Sequence, residues 1–128
     1  MSDDAGEFHF PGVYRPPPVA LVPIVRLVRW QAYLVPDGTL HLSGFMEAGK
    51  LGRVTGPILC FEPKIAAMHS SSGRRFDLDG PPGPDEYAGY VWLSWLSTHR
   101  WRNDDVRSVS DGVWTAIERA RSPRNCAM

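Results

Sequence analysis

The chain has 128 residues, with fourteen basic and fourteen acidic side chains and a formal net charge of zero. That length suits one domain whose core needs no covalent staples. The neutral balance argues against a nucleic-acid binder that works through a broad basic field. Only Lys50 and Lys64 are lysines, the other cations being arginine, a usage that a GC-rich bacterial genome produces.

Residues 1–18 end in Pro16, Pro17 and Pro18 and read as an extended arm, because proline fixes φ near polyproline values. A single α+β domain is expected over 19–122, with 123–128 as a frayed tail. The opening MSDDAGEFHF is acidic and polar rather than basic and then apolar, so no secretory leader is expected. Cys60 and Cys126, without such a leader, fit a reducing cytoplasm. The longest apolar stretch, Tyr87 to Leu96, is about half the ~20 residues that a membrane helix needs.

From Ile24 to Val35 the apolar Val28, Trp30, Ala32 and Leu34 alternate with Arg29, Gln31 and Tyr33, which is the period of a strand. Pro36-Asp37-Gly38 supplies turn chemistry, and Thr39 to Met46 returns as the second arm of a hairpin. Glu47 to Arg53 reads as a glycine-rich loop. Three short strands follow, Ile58 to Phe61, Ile65 to His69 and Arg74 to Leu78, separated by Glu62-Pro63-Lys64 and by Ser70 to Gly73. Short strands with turns between them predict an antiparallel meander of four to five strands.

Asp79 to Pro84 (DGPPGP) is a hard stop. Pro84, Asp85 and Glu86 then open a helix running to about His99 or Trp101, with its acids at the positive end of the dipole. A second helix is expected from Ser110 as N-cap, with Val109 and Trp114 as a hydrophobic staple, until Pro123 forbids continuation. Two C-terminal helices packed on the sheet complete the expected α+β fold.

The first helix is the most informative segment. Tyr87, Val91 and Trp95 share a face, Trp92 and Leu96 flank it, and Tyr90, Leu93 and Trp101 lie round the far side. A helix apolar nearly all round is buried on more than one side. The sheet, the second helix and the arm can supply that cover from within the chain. The sharper reading makes Tyr87, Tyr90, Trp92, Trp95 and Trp101 a contact surface for another chain, a homodimer being its simplest form.

Arg74, Arg75, Arg100, Arg102 and Arg107, with Trp101 among them, are the candidates for phosphate contact and base stacking. Asp77, Asp79, Asp104 and Asp105 sit beside them and offset the charge. His9, His41, His69 and His99 lack metal-ligand spacing, and neither a P-loop nor a nucleophile elbow is present, so no metal or cofactor is expected. Cys60 with His41 or His69 is the one nucleophile pair on offer, although a strand cysteine in an apolar run is more often packing.

Size, aromatic surplus and the lack of a catalytic constellation point to a non-enzymatic module that docks on itself and on another protein. A phage or mobile-element accessory protein that inhibits a host defence complex fits that description. The alternatives are a small nucleic-acid-associated regulator using the arginines, and a small hydrolase-like enzyme using Cys60 with His41 or His69.

Overall fold

The computed structural model describes residues 18–122, so the expected arm up to Pro17, the tail 123–128, His9 and Cys126 lie outside the described residues. Seven strands, β1 (Ile24–Leu34), β2 (Leu40–Met46), β3 (Leu51–Val54), β4 (Ile58–Glu62), β5 (Ala67–Ser70), β6 (Arg75–Asp79) and β7 (Arg107–Ser108), accompany two helices, α1 (Glu86–Thr98) and α2 (Ser110–Arg121). The fold is α+β with an open mixed sheet in the order β3-β2-β1-β6-β5-β4, and β7 pairs with β1 off that path.

The expected antiparallel meander of four to five strands is corrected in three places. Leu51 to Val54, of which Leu51 to Arg53 were expected in the loop, pairs with Ser43 to Met46 as an edge strand. Arg107 and Ser108 add a two-residue strand against Leu34 and Tyr33. The β4-β5-β6 meander docks on β1 in parallel, Val25 facing Phe76 and Leu27 facing Leu78. The first is a local hairpin closed by residues 47–50, whereas the other two join segments distant in sequence and depend on what lies across the sheet.

The hairpin is where the sequence placed it. Asp37 Oδ1 accepts from the Thr39 amide at 2.9 Å, and Gly38 takes φ 89, the left-handed region that glycine enters at no steric cost. Inside β1 the register slips by one residue between Val28 and Gln31. Arg29 is the bulged residue, at φ 47, a costly conformation for a residue with a side chain.

Consecutive strands β3 and β4 occupy the two edges of the sheet yet are joined only through Thr55, Gly56 and Pro57. A flat six-strand path would separate its edges by about 24 Å, whereas the four Cα steps from Val54 to Ile58 reach at most about 15 Å. The sheet therefore curls. Its concave face encloses the main core, with Leu27, Trp30, Ala32, Leu42, Met68 and Phe76 all inaccessible to solvent. Arg53 of β3 reaches across this interior to lie 5.2 Å from the Phe76 ring on β6. Val113 and Ile117 of α2 close the same core.

Helix α1 lies on the convex face. Along β2, Leu42 and Met46 face the main core, whereas Ser43 donates from Oγ to the Ala88 carbonyl of α1 at 3.2 Å. His41 and Phe45 meet Trp95 and Tyr87 on that same side. With helices on both faces, β2 is buried along nearly its whole length. Gly52 makes the close approach of α1 possible, because a Cβ there would sit 2.5 Å from the Tyr87 carbonyl oxygen. The second helix departs from expectation in one detail. Ser110 is its first residue rather than its cap, and its Oγ accepts from the Ala32 amide of β1 at 2.9 Å.

Candidate functional site

The start of α1 is built from one carboxylate. Asp85 Oδ2 accepts from the Ala88 amide at 2.9 Å, satisfying a helix N-terminal donor. Its Oδ1 takes the Nε of the bulged Arg29 at 2.8 Å, and the Arg29 guanidinium lies 4.9 Å over the Phe45 ring. At the other end the Arg100 amide donates to Ser97 and the Trp101 amide to Leu96, both at 3.0 Å. That is a Schellman closure with Arg100 left-handed at φ 59.

Between these ends the aromatic side chains divide. Trp92 and Trp95 are buried, at 3% and 2% exposure. Tyr33 stacks on Trp92 at 4.2 Å and Trp92 on Trp95 at 5.1 Å. Trp95 carries His41 at 4.6 Å and His99 at 4.2 Å, and Trp101 stacks on His99 at 5.2 Å. The tryptophans expected at an interface are thus the core of the convex face, with Val35, Val54 and Leu96, and Trp101 is half-buried. The other side of α1 faces out: Tyr87, Tyr90 and Leu93 are 64%, 67% and 57% exposed. Glu86, Tyr90, Leu93 and Ser97 fall within an arc of about 60°, and Tyr87 stands beside that arc with its ring 6.0 Å from Phe45.

His41 is buried at the hairpin end of the same layer. Its Nδ1 donates to the Thr55 carbonyl at 2.9 Å, and its Nε2 lies 2.8 Å from Thr39 Oγ1. Burial holds the imidazole below its ordinary value, opposed by the Thr55 contact and by Asp37. The Thr39 hydroxyl and amide hold the Asp37 carboxyl below the usual carboxylate range.

Of the nucleophile candidates, His41 stands apart, while Cys60 and His69 are brought together on neighbouring strands. His41 sits under α1 opposite Tyr33. Cys60 faces His69 across β4 and β5, and the His69 Nε2 is 2.5 Å from Glu62 Oε2. Cys60 is exposed, which corrects the expectation that it packs inside. In β4 it is Phe61, opposite Met68, that packs on the core, whereas Cys60 lies with His69 and Arg75 on the outer face. Among the described residues no group of three His, Cys, Asp or Glu side chains is placed to hold a metal ion.

The arginine candidates separate as well. Arg74 is fully buried, and Arg75 donates from Nε to Asp77 at 2.6 Å. Arg75 lies opposite Ile24 at one end of β1 and Arg107 opposite Leu34 at the other, about 30 Å of strand apart. Arg100, Arg102 and Arg107 are exposed, with the Asp105 carboxylate bonded to the Arg102 amide at 2.9 Å.

Sequence alone does not join Arg29 to Asp85, because a strand bulge and a cross-sheet ion pair have no local signature. The Asp-Glu opening of α1 was the only signal that pointed at Asp85. Among the described residues no helix is long and apolar enough to cross a membrane. No protein-family model, no curated protein and no solved structure matches this chain.

Proposed function

We propose that the protein is a non-enzymatic docking module whose contact surface is the outward face of α1, with a second copy of the chain as its first partner. The observation that carries this is the exposure of Tyr87, Tyr90 and Leu93 together on one helix. Three large side chains grouped on a rigid element are what a contact surface needs, whereas scattered exposed apolar residues need no explanation. An isologous pairing of α1 with its two-fold mate puts Leu93 near the axis and brings tyrosines to both sides. A binding partner of other identity uses the same surface.

The tryptophans serve this function indirectly. Stacked between sheet and helix, Trp92 and Trp95 fix α1 so that its outward side chains are presented without further ordering, which lowers the entropic cost of association. Substitutions on the two sides of α1 test the assignment. Trp95→Ala is expected to cost about 3–5 kcal/mol of stability, measured by urea unfolding. Leu93→Glu is expected to change stability by no more than about 0.5 kcal/mol while abolishing association. If Leu93→Glu unfolds the protein, the residue belongs to the core and the proposal fails.

A further inference from the structure

Beside the first turn of α1 a hollow of about 210 Å³ opens between the helix and β1, lined by Arg29, Gln31, Tyr33, Ser43, Asp85 and Ala88 among others. The strong acceptors in its wall are occupied. Asp85 Oδ1 holds Arg29 and Oδ2 holds the Ala88 amide. Gln31 Oε1 accepts from Ser110 Oγ at 2.8 Å, and Ser43 spends its proton on the Ala88 carbonyl. The donors are not occupied. Among the described residues the terminal nitrogens of Arg29, the Gln31 amide nitrogen and the Tyr33 hydroxyl have no hydrogen-bond partner. Arg29 keeps nearly half its side chain exposed, at 48%, while Asp85 keeps 7%.

Charge favours the same ligand. The Arg29 and Asp85 charges cancel, and the amino end of α1 adds roughly half a positive charge. A wall with its acceptors spent and a guanidinium fork, an amide and a phenol left over suits an oxyanion, which offers only acceptors. A cation finds no free carboxylate there. Arg29 keeps a left-handed backbone at the bulge in β1, and strain retained in this way clusters at binding positions.

We propose that this hollow binds a small oxyanion, a carboxylate or a phosphate, held by Arg29, Gln31 and Tyr33. The site is separate from the outward face of α1, so either assignment can fail without the other. The test is titration of inorganic phosphate and of acetate into ¹⁵N-labelled protein at constant ionic strength, with chloride as the control. The Gln31 side-chain amide and the Arg29 Nε resonances are followed. Saturable shifts with a midpoint of the order of 10 mM are expected for one anion or both, and the tighter of the two assigns phosphate or carboxylate.

Arg29→Gly suits the left-handed backbone and removes the fork, and it should weaken binding by at least about tenfold. Tyr33→Phe keeps the stack on Trp92 and removes one neutral donor, and it should weaken binding by about threefold. Shifts that stay linear to about 100 mM, or that match chloride, overturn the proposal. So do shifts of equal size in wild type and in both variants.

Discussion

Arg29 and Asp85 meet across 56 positions of sequence, and each answers a problem that the other creates. The bulge holds Arg29 at φ 47, and the carboxylate that caps α1 would be a poorly solvated charge without a cation beside it. Asp85→Ala removes the cap and the ion pair together. It is expected to cost about 2 kcal/mol in urea unfolding, near the upper end for a cap because the ion pair goes with it, and no more because Arg29, partly exposed, recovers hydration. Arg100 poses the opposite case: it takes φ 59 as the closing residue of α1 with its side chain exposed. Arg100→Gly relieves that strain and should raise stability by about 1 kcal/mol, read from the same experiment.

His41 gives the protein a pH dependence whose sign follows from its burial. Its folded-state value is depressed, so below the ordinary histidine value of about 6.5 the unfolded chain binds a proton that the folded chain resists. Stability is therefore present above that pH and is progressively lost as pH falls below about 6.5. Asp37, held low by Thr39, adds a second loss at more acidic pH. His41→Asn should flatten the first part of the profile and leave the second. An unchanged slope between pH 7 and 5 in that variant would show that another group is responsible.

At the scale of elements, α1 shows what a helical wheel can and cannot decide. The crowding of Tyr87, Tyr90, Trp92, Leu93, Trp95 and Leu96 onto one helix was legible, as were its start at Asp85 and its end near His99. Which of these residues lie inside was not, because the wheel has no reference direction until the sheet supplies one. The sheet chooses the Trp92–Trp95 side through Tyr33, His41 and Ser43, and it does so where Gly52 lets the backbones touch. Gly52→Ala is expected to cost about 1–3 kcal/mol, since the obstacle is helix backbone rather than a side chain that can turn away. Near-ultraviolet circular dichroism should show the tryptophan stack disturbed in the same variant. A neutral substitution would mean that α1 can lift from β3 freely.

The strands divide in the same way. The β1-β2 hairpin was legible because Pro36-Asp37-Gly38 dictates a reversal over a few residues. Strand β3 was hidden because Gly52 and Arg53 look like loop residues; one is there for the helix above it, the other for the core below. Ser110 looked like a cap, and its hydroxyl serves β1 instead. In each case a contact distant in sequence overrides the local preference.

For the whole molecule the decisive feature is curvature. Two edges joined by three residues force the sheet to wrap one core, and that leaves the convex face to be covered separately. Helix α2 serves the inside and α1 the outside, and β1 and β2 belong to both layers. The expected antiparallel meander gives way to a mixed sheet because the parallel pairing of β1 with β6 cannot be read from either strand. Among the described residues α1 is the helix on the convex face, and it buries one side and presents the other.

Light scattering across a concentration series, from a few micromolar to several hundred, tests that presentation most directly. The wild-type chain is expected to rise from its monomer mass of 14.3 kDa towards twice that value, while Leu93→Glu stays at the monomer mass with an unchanged unfolding midpoint. A wild-type chain that remains monomeric throughout, or a dimer that Leu93→Glu leaves intact, would contradict the assignment of the outward face of α1 as the surface on which a second copy docks.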